Sequence, residues 1–261
     1  MNDTVFEMAS KARLMIPFFN TPQSCLCGMK MDPLCLHSMV CPDPTYRGRI
    51  RPFMHSMLKN ELVNICTFYL KNSQYNVLTT EPALDNYFNR QPRYATSLIQ
   101  RRADICIVDE ESGKSILIDC TIACPAALRY KYDKAGDAAN KLVNFKIKDY
   151  NSAFQIEDES RAVIFFFAVE SPGSLSIEGL KFCQLISSLT GNPDNLQLIY
   201  QRISVCMQYI RAKQILHSLN SLPRLGPQSS LPSLPNPSSP SQLTNQSHPL
   251  CPPNNSLSSN S

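Results

Sequence analysis

Two groups of residues in this sequence have the types and the spacing to do chemistry. The first lies between Cys25 and Cys41: a Cys25-x-Cys27 pair, nine intervening residues, then His37-x-x-x-Cys41. Zinc takes four nitrogen or sulfur ligands at tetrahedral corners, and this window offers four. The spacing of His37 and Cys41 puts both on one face of a helical turn. Two cysteines one residue apart need a sharply bent backbone, and Gly28 supplies the freedom for it. Cys35 is a spare thiol that competes with His37 for the fourth position, and the plain alternative is a set of core cysteines beside an unrelated histidine. A structural Zn²⁺ would hold the segment together, contributing about 10 kcal/mol or more in modules this small.

The second group is acidic. Asp104 opens the apolar run 104–108, and Asp119 sits inside the next one, among Ile116, Leu117, Ile118 and Ile122. A carboxylate within a buried strand is costly unless it is paired or bound to a cation. Across a tight hairpin the two aspartates are expected side by side at one edge of a sheet, where paired oxygens suit Mg²⁺ or Mn²⁺. Glu81 is a third candidate acid, and Lys146 or Lys141 on the following helix could supply a cation to activate water or neutralise a leaving phosphate. The plain alternatives are a strand-start cap for Asp104 and a buried ion pair with Arg101 or Arg129 for Asp119.

The elements that must position these groups follow from periodicity. Residues 2–14 read as a short helix and 21–50 as an irregular cysteine-rich segment. Ile50 to Lys71 has helical spacing in Met54, Met57, Leu58, Val63 and Phe68. Three β-rich runs follow (75–79, 104–108, 115–121), the last two joined by a turn at 110–113. Residues 133–150 read as a helix presenting Ala135, Ala138, Ala139, Leu142, Phe145 and Tyr150 on one face. The apolar run 162–169 reads as a strand buried on both sides, with helices at 176–190 and 194–215 after it. The expected fold is therefore α/β, a mixed sheet with helices on both faces. From residue 216 onward Ser, Pro, Asn and Leu dominate, a composition that cannot offset the entropy of ordering, so 216–261 is expected to be a disordered tail.

Composition narrows the classes. The chain has 261 residues, 43% hydrophobic and 18% charged, enough to bury a core without covalent staples. The net charge of +4 permits a nucleic-acid partner without demanding one. No run approaches the roughly 18 apolar residues of a membrane span, and the N-terminal residues have no secretory pattern. A nuclear or cytoplasmic, reducing location is expected, in which the seven cysteines outside the window serve as buried free thiols.

In order along the chain, the cysteine-histidine window, GluPro at Glu81, ArgAlaAspIle at 102–105, AspCysThr at 119–121, the helix around Lys146 and Tyr150, and AlaValGluSerProGly at 168–173 form a pattern. It resembles the zinc knuckle and restriction-enzyme-like endonuclease, of the PD-(D/E)xK superfamily, that follow the reverse transcriptase in site-specific non-LTR retrotransposons. The likeness covers roughly residues 10 to 210. It implies a knuckle over 21–50 with Cys25, Cys27, His37 and Cys41 on zinc, and a nuclease domain over 51–215. It also implies Mg²⁺ on Asp104, Asp119 and Glu81, with Lys146 and Tyr150, one helical turn apart, beside them. DNA, or the element's RNA, would be the partner, gripped by Arg47, Arg49, Arg51, Arg101 and Arg102; no small-molecule ligand is expected. The chain departs from the superfamily where Thr121 replaces the lysine two residues after the second acid and Ala103 replaces proline. No polymerase motif accompanies the domain, as expected of a detached fragment, a domesticated domain or a degenerate gene product. A binding module with a dead site, and a zinc-stabilised adaptor that recruits a partner through its tail, are the competing expectations.

Overall fold

The computed structural model describes residues 2–25, 27–78, 81–91, 101–127, 134–156 and 161–220, with the side chains of 45–47 excepted. Arg129, most of the expected tail and the side chain of Arg47 lie outside these residues.

Helix α1 (Asp3–Arg13) is capped by Asn2, whose side chain accepts from the Val5 amide. Strands β1 (Gln23–Ser24) and β2 (Lys30–Met31) form a short antiparallel ribbon, and α2 (His37–Val40) is a single turn. The long helix α3 (Pro44–Leu70) starts six residues before the expected Ile50. Pro44 suits a first helical position, where its missing N–H removes no bond, and Pro52 sits within the helix.

The main sheet has the order β3 (Tyr75–Leu78), β4 (Ile105–Asp109), β5 (Ser115–Ala123), β6 (Ala162–Glu170). The first three strands form an antiparallel meander, and β6 lies parallel to β5 across the helix α4 (Asp137–Ala153). This is the mixed sheet expected of the sequence. Helices α5 (Ile177–Leu189) and α6 (Asn195–Asn220) follow. Helix α6 runs past 215 because its apolar face continues, with Leu216 and Leu219 both packed against buried clusters.

Side-chain alternation along the strands divides the core in two. Ile105, Ile107, Ile118, Cys120, Phe167 and Val169 pack with α3, α5 and α6. Cys106, Leu117, Phe166 and Ala168 pack with α4 and with Leu84 and Phe88. Helices thus cover both faces, and neighbouring residues of β5 look in opposite directions. Five of the seven scattered cysteines (Cys66, Cys106, Cys120, Cys183, Cys206) are buried free thiols, as expected; Cys124 is half-buried. No helix of the described residues is long and apolar enough to cross a membrane.

One helix face differs from expectation. Phe145 is 66% exposed, while Tyr150 is buried and Lys146 points inward. Full burial of one phenylalanine is worth about 2–3 kcal/mol. Leaving a buried carboxylate without its cation costs about 3–5 kcal/mol. The helix is therefore turned by the acid on β5 rather than by its own aromatic residue.

Candidate active site and metal centre

Asp119 and Cys120 are consecutive on β5, so their side chains leave the sheet on opposite faces. Asp119 faces α4. Its Oδ1 accepts from Lys146 Nζ at 2.7 Å, and its Oδ2 accepts from the Tyr150 hydroxyl at 2.6 Å. Burial pushes the Asp119 carboxyl above its ordinary value despite the opposing pull of Lys146 and Tyr150. Burial and the nearby Asp119 charge likewise drive the Tyr150 phenol upward, so the tyrosine stays a donor. Arg101 forms a two-pronged pair with Asp149 and lies 5.3 Å over the Tyr150 ring; Phe166 meets that ring edge-on. Tyr150 is held in place from three sides.

Asp104 stands where β4 begins, and its Oδ2 accepts from the Cys120 amide at 2.7 Å and faces His55 Nε2 at 3.2 Å. Burial alone would raise this carboxyl, but the His55 contact and the Cys120 amide outweigh it and hold the carboxyl low. The same contact raises the imidazole of His55, the bond to Asp104 outweighing burial. The Asp104 charge adds to the upward push on Asp119, which is held from α4 while Asp104 is held from α3.

Glu81 behaves differently from the other two acids. Its carboxylate pairs with Lys59 of α3, and its backbone carbonyl accepts from Arg102. Among the described residues, the metal-ligating group that contains Asp104 comprises His55 and Cys120, and it includes neither Glu81 nor Asp119. Lys141 is exposed on α4, so Lys146 is the lysine that reaches the acid. Arg49 and Arg51 are exposed on α3.

His55 was not among the sequence candidates. A histidine four residues before Lys59 on a helix whose face was legible is a usable signal, but nothing local says that the helix passes the start of β4. In the sequence Glu170 stands out only as part of the motif at 168–173. It is buried, and its Oε1 accepts from the Ala138 amide at 3.0 Å, placing a carboxylate at the N-terminus of α4. Gly136, at φ 90°, makes the turn into that helix. Glu170 thus fixes the end of the helix that aims Lys146 and Tyr150. Glu170→Ala is expected to lower stability by about 1–3 kcal/mol in urea titration by orphaning the Ala138 amide.

The cysteine window folds as its spacing predicts. The donor atoms of Cys25, Cys27, His37 and Cys41 all lie within 4.8 Å of one another, an arrangement able to hold a structural zinc. Gly28 turns at φ 82°, and the Cys25 amide donates to the Met29 carbonyl. Asp32 organises the return: its carboxylate accepts from the amides of Leu34, Leu36 and His37. Cys35 is outside the cluster. It is fully buried with Met31 and Ile215, and burial pushes its thiol up to about 12.

Arg211 of α6 fastens this segment to the body of the protein. Its guanidinium donates to Ser38 Oγ at 2.8 Å and to the Cys35 carbonyl at 3.0 Å, while Gln214 donates to the Ser38 carbonyl. Arg211→Ala removes the buried donor to Ser38 Oγ, the Cys35 carbonyl and Gln214 Oε1, although the Cys35 carbonyl keeps its bond from the Ser38 hydroxyl. A loss of about 3 kcal/mol in urea unfolding is the expected result.

A scan of protein-family models finds none that matches this chain, and a search of curated proteins finds no match. The functional reading therefore rests on the residues and their arrangement.

Proposed function

We propose that this chain is a metal-dependent DNA endonuclease of the restriction-enzyme-like class, related to those that follow the reverse transcriptase in non-LTR retrotransposons. The observation that carries the reading is the junction of Asp119, Lys146 and Tyr150 on the α4 side of β5. With Thr121 standing where the superfamily has its lysine, Lys146 reaches Asp119 from the helix. An antiparallel meander, a crossover helix and a parallel fourth strand support the PD-(D/E)xK assignment.

The oxygens of Asp104 and Asp119 suit a hard ion such as Mg²⁺, which when bound polarises a phosphodiester as a Lewis acid. Glu81 would join them only by giving up Lys59. Lys146 would orient the attacking water and stabilise charge that develops on the phosphate. Tyr150 and Arg101 would hold Asp119 and α4 in register. Zinc in the Cys25, Cys27, His37, Cys41 cluster would be structural, and the exposed Arg49 and Arg51 would meet the DNA backbone. A nuclear or cytoplasmic setting follows from this substrate.

One observation favours a second reading, a binding module without hydrolysis. Asp119 is matched to Lys146, Glu81 to Lys59 and Asp104 to His55, so all three acids already have partners within the protein. Nicking of supercoiled plasmid in Mg²⁺ or Mn²⁺ decides between them. Cleavage by the native chain that disappears in Asp104→Ala and Asp119→Asn supports the endonuclease. Retained DNA binding without nicking in every variant supports the binding module. Loss of both, with a partner captured through the tail, would leave the adaptor.

A further inference from the structure

We propose that His55, Asp104 and Cys120 form a second metal site, selective for a late first-row divalent ion of the zinc or cobalt class. The site does not rest on the nuclease reading. Its donors come from three elements: an imidazole from α3, a carboxylate from the start of β4 and a thiol from within β5. The three donor atoms lie within 4.8 Å of one another. His55 Nε2 is 3.2 Å from Asp104 Oδ2 and 3.7 Å from Cys120 Sγ. Tetrahedral zinc with ordinary bond lengths sets its nitrogen and oxygen ligands about 3.3 Å apart and its nitrogen and sulfur ligands about 3.6 Å apart. The side chains therefore already stand close to the edges of that polyhedron.

The donor chemistry selects the ion. Magnesium takes oxygen ligands and keeps its waters, whereas a thiolate beside an imidazole favours zinc and its neighbours. The Cys120 amide, bound to Asp104 Oδ2, holds the carboxylate in position before any ion arrives. Three protein ligands leave a fourth position for water or a phosphate oxygen. The imidazole is the accessible member: the His55 side chain is 40% exposed and lines a cavity of about 330 Å³ with Arg51, Met54 and Thr121.

The test is a Co²⁺ titration of the full-length chain carrying one equivalent of zinc in the cysteine-histidine cluster, in the absence of DNA. The expected result is one further equivalent of Co²⁺, with tetrahedral d–d bands and a sulfur-to-cobalt charge-transfer band. His55→Ala, at a half-exposed position, should retain the fold and weaken this binding by about 100-fold or more. Cys120→Ser should lose the charge-transfer band. Millimolar Mg²⁺ should not displace the cobalt. Equal uptake by the native chain and His55→Ala, or no second equivalent in the native chain, would overturn the site; displacement by Mg²⁺ would overturn the choice of ion. Asp104 is shared with the proposed nuclease site, so the two ions would compete for one carboxylate; the titration is read without cleavage, and its failure would leave the nuclease reading untouched.

Discussion

Asp119→Asn is expected to reduce plasmid nicking by about 10³-fold or more while leaving the protein as stable as the native chain, or more so. The first half follows from removing an anionic oxygen from the proposed ion and from Lys146. The second half follows from linkage. The folded-state value of Asp119 lies above its unfolded value. Its contribution to stability is therefore intact below the unfolded value and declines as the pH rises toward the folded one. Without added Mg²⁺, ionising this buried side chain is a burden that the isosteric amide removes. Lys146→Ala should behave in the opposite sense. It also abolishes nicking, but it leaves the buried carboxylate without its cation and costs about 3 kcal/mol. Thermal melting of the two variants at pH 7.5 checks the contrast. A lower melting temperature for Asp119→Asn than for Lys146→Ala would contradict the account.

Stripping zinc, or replacing Cys41 or His37, is expected to unfold residues 21–41 and to destabilise the rest of the described fold. In small zinc modules, metal binding supplies about 10–16 kcal/mol at neutral pH. Here the cluster is not an appendage. Cys41 belongs to the main core with Ile50, Leu58 and Ile210, and Cys35 packs against Ile215. Loss of the metal should therefore lower the denaturation midpoint of the whole domain, followed by circular dichroism during chelation. Restoring Zn²⁺ should restore it. An unchanged midpoint after stoichiometric zinc has been removed would show that the four ligands play no structural part.

Much of this architecture was legible because its signals are local. The β runs around Asp104 and Asp119 are marked by composition, and the charge of Asp119 among isoleucines announced a buried partner. The spacing of Lys146 and Tyr150 placed both on one helix face, and the structure puts both on Asp119. What could not be read is non-local. His55 meets Asp104 across 49 positions and Cys120 across 65, and no periodicity encodes which strand end a helix will pass. Glu170 reaches Ala138 backwards along the chain, across 32 positions. Phe145 was misplaced because hydrophobic pattern alone ignores the demand of a buried carboxylate on the facing strand. Cys35 and His37 were rivals for zinc until the fold turned one into the core and the other toward the cluster.

The Arg211 clasp also constrains the order in which the molecule is completed. Ser38 and Arg211 are 173 positions apart, and the Cys35 carbonyl and Arg211 are 176 apart. During synthesis the cysteine-histidine loop emerges well before its anchoring helix. Domains generally fold as units, and contacts this remote in sequence must wait until both partners have left the ribosome. Until then the nascent loop presents its thiols to solvent, and early capture of zinc by the four ligands would both shield them and hold the loop in shape for α6. A chain interrupted between β6 and α6 would keep its sheet-forming segments and lose the surface that closes over Leu34, Cys35 and Ser38.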